Sequence, residues 1–568
     1  MLKKYPHLSI TLFASLLFIP FLGSVHLFDW DEINFAEAAR EMIESGNYSR
    51  VQINFEPFWE KPPMFFWMQA GCMKLFGINE FAARLPNAIC GILTLNFLFY
   101  YGKKLFDSTL AWWWVLLFVG SFTPHLYFKS GIIDPWYNLL IFGAIVQLYL
   151  GSCQSIKNIN NYIFAGILLG MAILTKGPVA ILIVALSGFA YMAMQKFEPF
   201  FRWRDLATLI FSTLLVPLLW LLPDLINNGF WFTNEFLNYQ LDLFLNPVAS
   251  HGQPWFYHPL VLLTACFPAA IVALPFLFKT SNSQNPSFLL WMKLMFWVVL
   301  ILFSMVTTKI VHYSSLCYIP LAFLGAFGLQ QTKGILKSWQ TLTLVFLGLL
   351  YSLVFMLIPL LGSNSALKNK LIHAINDPFV NENLRAPTPW HGHEWVIGLA
   401  FLLLTIIGLL WLNRKSDGLG LKVFLVGNAL FLLMINFSLM PKIENHLQGP
   451  IINFYKSLVG KNIYIETVGF KSYAHYYYTQ KPAPNKNDAL SKAVHEYSTT
   501  HGIKSKSKLS QSERDEINGF KMQWFLNGKI DKPVYLVYKI TNTEGMDTMK
   551  SFKMVMNSGG FKVFKRSH

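Results

Sequence analysis

The sequence predicts a polytopic α-helical membrane protein with a small C-terminal α/β domain, and three observations predict it. Of its 568 residues, 54% are hydrophobic and only 13% charged, with a mean hydropathy of +0.40, a balance that excludes a soluble protein of this size. A span needs ~20 mostly apolar residues to cross ~30 Å of hydrocarbon, and residues 9–28, 110–128 and 395–412 are among many runs of that kind. After Met440 the chain turns polar, and residues 462–467, 533–540 and 561–564 read as short strands.

Orientation follows from the basic loops, because short cytoplasmic loops collect Lys and Arg. Lys3-Lys4, Lys103-Lys104, Lys157, the stretch from Lys196 to Arg204, Lys279, Lys333 to Lys337 and Arg414-Lys415 are assigned to the inside. The loops 29–81, 129–134, 175–177, 223–258, 307–312 and 363–393 then face out, and the two sets alternate without conflict. The crossings number about 13. Residues 1–440 form the membrane domain, with the N-terminus inside, and 441–568 lie outside as a soluble domain. The apolar run 9–28 follows Lys3-Lys4 but no small-x-small cleavage site follows it, so it reads as an uncleaved first helix.

The tail from Pro441 carries 20 Lys+Arg against 10 Asp+Glu. Such a face suits anionic lipid headgroups or glycans, and equally a solvated surface with no specific partner. No nucleic-acid partner is expected, and the chain is expected to be a monomer. Cys72, Cys90, Cys153, Cys266 and Cys317 all lie in or beside apolar segments, so neither a disulfide framework nor a metal-type spacing is visible.

The candidate chemistry is a set of charges at the outer rim. Asp31 and Glu32 follow the first span and open a helix whose Phe35, Ala36, Ala39 and Met42 recur at helical spacing, predicting an amphipathic helix on the outer surface. The pair can serve as carboxylates for catalysis or merely favour the helix dipole. Asp134 lies at the same level between two spans, where a carboxylate is costly unless solvated or paired. Glu60-Lys61-Pro62-Pro63 closes the outer loop. Lys61 is a compact cation suited to phosphate, and the prolines fix its approach to the membrane. Lys176 and Lys309 repeat the pattern, and three outward lysines at membrane level run against the usual bias, suggesting a phosphate site facing the outer leaflet. His251, in the long outer loop, could join Glu60 in holding a divalent metal or simply make hydrogen bonds.

In this order, these motifs resemble those of the polyprenyl-phosphate-dependent glycosyltransferases of the GT-C fold, the superfamily of protein O-mannosyltransferases and bacterial aminoarabinose (lipid A) transferases. The residues are Asp31-Glu32 with Ala36-Glu37 and Ala39-Arg40-Glu41-Met42, Glu60-Lys61-Pro62-Pro63 with Trp67, Asp134, Thr175-Lys176-Gly177-Pro178, Pro254-Trp255-Tyr257-Pro259, and Lys309 with Tyr313 and Pro320. The resemblance implies a GT-C membrane domain with surface helices in the loop 29–81, a cavity above them, and a periplasmic α/β domain, all in the inner membrane. It implies Asp31 as base or acceptor-orienting carboxylate with Asp134 beside it, and Lys61 as the residue that binds the carrier's phosphate, helped by Tyr313; the reading of the residues themselves adds Glu32 to the catalytic set and Lys176, Lys309 and His251 to the substrate-binding set. Glu60 corresponds to a family metal ligand. Its histidine partner and a phosphate-binding arginine are missing where this chain reads Gln240-Leu241-Asp242-Leu243-Phe244, which puts the metal in doubt.

The implied activity is transfer of a sugar from an undecaprenyl-phosphate carrier to an envelope lipid, glycan or protein. Two other classes remain open on the residues, a lipid-linked sugar transporter or flippase and a non-catalytic assembly factor for envelope polysaccharide. A transporter predicts charges near the bilayer midplane, whereas here they gather at one rim.

Overall fold

The computed structural model describes residues 4–153, 158–197, 201–245, 252–279, 283–411, 418–503, 509, 511–543 and 545–567. The chain opens with α1 (Pro6–Phe18), α2 (Asp31–Ser45), a ribbon of β1 (Gln52–Ile53) and β2 (Glu56–Pro57), α3 (Met64–Phe76), α4 (Glu80–Leu105), α5 (Ser108–Val119) and α6 (Phe122–Leu126). It continues through α7 (Asp134–Cys153), α8 (Ile159–Lys176), α9 (Val179–Met194), α10 (Trp203–Asn228), α11 (Trp231–Leu245), α12 (Tyr257–Ala265), α13 (Ala269–Phe278) and α14 (Pro286–Met305). A 3-10 turn, Val311–Cys317, leads into α15 (Tyr318–Gln331), then α16 (Ser338–Ser363), α17 (Ser365–Ala374), α18 (Pro378–Arg385), α19 (Trp395–Thr405) and α20 (Leu419–Ser438).

Among the described residues, seven helices are long and apolar enough to cross a membrane: α4, α8, α10, α14, Val311–Gln331, α16 and α20. An eighth span results if Phe122–Lys129 and Asp134–Ser152, bent by 114° at their break, are one. Five shorter apolar helices join them: Pro6–Phe18, Ser108–Val119, Val179–Met194, Ala269–Phe278 and Trp395–Trp411. Burial separates centre from rim: Val311–Gln331 is 83% buried, whereas α10 and α16 are 17% and 22% buried and turn their Leu and Phe side chains outward. Gly166 and Gly170 let the backbones of α8 and α10 touch. A Cβ on Gly170 would sit 2.7 Å from the Thr213 carbonyl oxygen, which is why small residues at this spacing recur where membrane helices cross closely.

The tail begins with α21 (Met440–Leu447) and α22 (Gly449–Lys456) and then builds a mixed sheet of β3 (Tyr464–Val468), β4 (Val534–Lys539), β5 (Lys553–Ser558) and β6 (Phe561–Arg566) in the order β3-β4-β6-β5. β3 and β4 are parallel, so their connection must cross over, and it does so through α23 (Ala474–Thr479), α24 (Ala489–Thr500) and α25 (Gln511–Asn527). The three strands expected from the sequence are present. β5 was not expected, because it is an exposed edge with a bulge between Met554 and Met556 and lacks clean alternation.

The tail packs on the outer loop. Lys481 Nζ donates to Asn54 Oδ1 at 2.8 Å, Arg40 Nη2 donates to the Lys481 carbonyl at 2.8 Å, and Lys521 pairs with Glu56 at 2.9 Å. This corrects the expected surface position of α2, whose residues from Glu32 to Met42 are all buried. Its apolar face packs on α3, while α23 covers the other side. A cover from residues more than 400 positions away leaves no local periodicity to read.

Glu32 holds this region together. Arg84 donates to both of its oxygens, at 3.0 and 2.8 Å, and also to the carbonyls of Leu22, Val25 and His26. Glu32 additionally accepts from the backbone N–H of Phe28 at 2.9 Å and of Gly131 at 2.5 Å. Burial alone would raise its pKa, but the Arg84 guanidinium and these N–H donors outweigh burial and hold the carboxyl below the usual 4.5. A depressed carboxyl contributes stability above its unfolded value, about pH 4.5, and that contribution is lost as pH falls through the lower folded value. Glu32→Ala leaves Arg84 buried and unpaired and is expected to cost about 3–5 kcal/mol. Thermal unfolding of the purified protein in detergent checks this, and an unchanged melting temperature contradicts it.

Candidate active site

Five chain segments end at one level and enclose a cavity of about 150 Å³. Lys61 enters from the turn before α3, Asp134, Tyr137 and Asn138 from the first turns of α7, Lys176 from the last residue of α8, Val179 from the start of α9, and His312 and Tyr313 from the turn after α14. The sequence explains each position. The 114° break before α7 brings Asp134 to the rim, where a continuous helix would carry the chain past it. Gly177, at φ +114°, takes a conformation that side chains disfavour and turns α8 into α9 directly after Lys176. Thr175 Oγ1 meets Met64 Sδ at 3.5 Å, which ties the end of α8 to the segment carrying Lys61.

Asp134, 2% exposed, accepts from Lys176 Nζ at 2.5 Å, so a carboxylate that would be costly at this depth is paired. Lys176 Nζ also lies 5.6 Å from the centre of the Tyr137 ring and 5.3 Å from that of Tyr313. Lys61 forms no ion pair among the described residues, so the lining carries one neutralised pair and one uncompensated cation. Asp31 stands at the mouth with its side chain 42% exposed, and its Oδ2 is 3.5 Å from His312 Nε2. His312 Nδ1 is in turn 3.1 Å from the Tyr127 hydroxyl. The charges of Lys176, Asp134, Asp31 and Glu60 all act on the Tyr313 phenol, which marks the point on which they converge.

The sequence-derived set divides on this geometry. Asp31, Asp134, Lys61, Lys176 and Tyr313 come together. Glu32 does not belong with them, because both oxygens are committed to Arg84 and two backbone N–H groups, and its catalytic assignment is corrected to a structural one. Lys309 is likewise corrected: it donates to the Val306 carbonyl at 2.8 Å, satisfying the end of α14, and is absent from the cavity wall. His251 lies outside the described residues, as do the side chains of Gln240 and Asp242 through Phe244. Glu60, the expected metal ligand, is engaged by other partners. It sits 3.9 Å from Lys471 Nζ, it is hydrogen-bonded to Tyr239, and no group of three or more His, Cys, Asp or Glu occurs among the described residues. The residues missed from sequence are His312, Tyr127, Tyr137 and Asn138. Only His312 carried a local signal, as the neighbour of Tyr313.

The fold is matched over nearly the whole chain by solved structures. The crystal structure of ArnT from Cupriavidus metallidurans bound to undecaprenyl phosphate superposes with a TM-score of 0.75 at 17% identity, covering 99% of this chain and 98% of that one. The apo form of the same protein gives 0.74 at 17% identity, covering 100% and 98%. Residues 60–220 match the family described as dolichyl-phosphate-mannose-protein mannosyltransferase. The chain is 28% identical over 374 residues to the undecaprenyl phosphate-alpha-4-amino-4-deoxy-L-arabinose arabinosyl transferase of Shewanella sediminis (strain HAW-EB3), covering 61% of this chain and 65% of that one. It is 28% identical over 352 residues to arabinosyl transferase 1 of that type from Proteus mirabilis (strain HI4320), covering 59% and 61%. These matches thus span less than two thirds of either relative.

Removing one member of the Asp134–Lys176 pair strands the other charge in the cavity wall. Lys176→Met is expected to lower stability by about 3–5 kcal/mol, and the double variant Lys176→Met with Asp134→Asn to recover much of it. Unfolding of both variants in detergent tests this, and additive losses would show that the two side chains do not interact.

Proposed function

We propose that this protein is an integral membrane glycosyltransferase that moves a sugar from an undecaprenyl-phosphate carrier to an oxygen of an envelope acceptor, such as lipid A, a glycan or a protein. The observation that carries the reading is the uncompensated Lys61 beside the Asp134–Lys176 pair in one cavity, with Asp31 at its mouth. Support comes from the fold shared with ArnT and from the arabinosyl transferase relatives. In this reading the five shorter apolar helices also cross the membrane, and together with the eight longer spans they give an odd count. The cavity and the tail then face the periplasm across the inner membrane.

The chemistry follows from where charge develops. An acceptor oxygen attacks the anomeric carbon and passes its proton to Asp31. The bond from that carbon to the carrier's phosphate oxygen breaks, and its electron pair stays with the phosphate. Lys61 and Lys176 meet the growing negative charge from fixed positions, in walls where Val179, Leu182, Ile183 and Leu302 keep the local dielectric low. His312, held by Tyr127, orients the Asp31 carboxylate. Attack from the face opposite the leaving phosphate inverts the anomeric centre. The apolar wall suits the first isoprene units of the carrier. No nucleotide is required.

Transfer is tested by release of free undecaprenyl phosphate from a radiolabelled lipid-linked sugar donor in proteoliposomes containing acceptor. The wild type is expected to release it, and Asp31→Asn to bind the donor normally while turning over about 10²–10⁴-fold more slowly. Full activity in Asp31→Asn would end its assignment as the base. Movement of intact donor between leaflets without release would favour a flippase instead. Mass spectrometry of lipid A and surface glycans from a deletion strain then identifies the acceptor.

His312→Gln is expected to lower turnover without changing affinity for the carrier. Unchanged turnover would make His312 a wall residue only.

A further inference from the structure

A second cavity, of about 350 Å³, occupies the opposite end of the same helices. α7, α8, α9 and α14 place Asp134, Lys176, Val179 and Leu302 on the first cavity, and Leu148, Tyr162, Met192 and Trp291 on the second. α9 is the wall between them. Val179, Leu182 and Ile183 face one, while Ile181, Val184, Ala185, Gly188 and Met192 recur at helical spacing on the other side and face the second. The second lining is aliphatic and aromatic, with Tyr162 and Thr213 its only hydroxyl-bearing residues among the described ones.

Basic residues flank this apolar space among the described residues. α9 ends at Met194, and Lys196 follows in the turn beyond it, four residues after Met192, with a left-handed φ of +55°. On the facing side, Phe201 forms part of the wall and is followed at once by Arg202 and Arg204, both exposed at the start of α10. Arg202, its side chain 57% exposed, shares its guanidinium with the buried Asp205 at 3.1 Å. Lys196 and Arg204 form no ion pair among the described residues. Trp203, 83% exposed, lies between the arginines, where an indole settles at a headgroup boundary.

We propose that this is a binding site for an anionic phospholipid of the leaflet opposite the active site, with one acyl chain in the cavity and its phosphate against Lys196, Arg202 and Arg204. A basic loop alone expresses only the general bias of cytoplasmic segments. An apolar cavity alone accepts any hydrocarbon. Here Met192 and Phe201 lie in the cavity wall next in sequence to the basic residues, so that one molecule can satisfy both: the chain fills a space that water would not occupy favourably, and the headgroup places its negative charge against Lys196 and Arg204, beside an Arg202 already shared with Asp205. The site stands independently of the sugar-transfer reading, because it shares no residue with the first cavity.

The test is native mass spectrometry of the purified full-length protein after equilibration with equal amounts of palmitoyl-oleoyl phosphatidylglycerol and phosphatidylcholine. The wild type is expected to retain phosphatidylglycerol in preference, and Lys196→Gln combined with Arg204→Gln to reduce that preference about tenfold or more. Ala185→Trp, which fills the cavity from an exposed position, is expected to reduce retention of both lipids, and Leu214→Trp on the facing α10 repeats the block independently. Equal retention of the two lipids by the wild type, an unchanged preference in the charge variant, or full retention in both tryptophan variants would overturn the proposal.

Discussion

The Glu32–Arg84 pair is the constraint from which the arrangement of the candidate site follows. A buried ion pair returns little net stability once desolvation is counted, so its value here is positional. Arg84 belongs to α4, and its remaining donors hold the carbonyls of Leu22, Val25 and His26 where the chain leaves α1. Glu32 reaches across to the N–H of Gly131, three residues before Asp134. Its chain neighbour is Asp31. One interaction therefore sets the distance between the two carboxylates on which the proposed chemistry depends, although neither touches Arg84. Lys129 extends the same junction by donating to the carbonyls of Leu17, Phe18 and Pro20, which closes the end of α1.

Within the cavity the charges are unequal by design of the fold. Asp134 and Lys176 neutralise one another, and their attraction is strong because few waters screen it. What an incoming phosphate meets is Lys61, uncompensated, with the Lys176 ammonium held nearby by two aromatic faces. Asp31 is kept outside that pairing, exposed enough to receive a proton yet oriented by His312. A cationic wall beside an anionic mouth suits the proposed reaction, in which negative charge gathers on one oxygen while a proton leaves another.

Much of this was legible in the sequence, and the limits are physical. Charges in an apolar chain are conspicuous, so Asp31, Lys61, Asp134 and Lys176 can be placed at one rim from topology, while Tyr313 enters only through the family resemblance. Glu32 could not be told from Asp31, because adjacent residues on a helix point about 100° apart and only the position of Arg84 decides which one is buried. Lys309 and Lys176 occupy similar contexts, yet one satisfies the end of its own helix and the other pairs with a carboxylate from a different span. The burial of α2 and the edge strand β5 depend on contacts distant in sequence or on exposure, neither of which leaves a local period. A lone histidine beside an apolar run is ordinary in sequence, and the significance of His312 lies in Tyr127 and Asp31, both more than 180 residues away.

The central claim is that Lys61, and not Lys309, presents its charge to the carrier's phosphate inside a single chamber. Equilibrium binding of undecaprenyl phosphate to Lys61→Met and Lys309→Met, measured in the same nanodiscs as the wild type, tests it most directly. Loss of about tenfold or more in affinity for Lys61→Met, with Lys309→Met unchanged, is the expected result. Wild-type affinity in Lys61→Met, or a comparable loss in Lys309→Met, would contradict it.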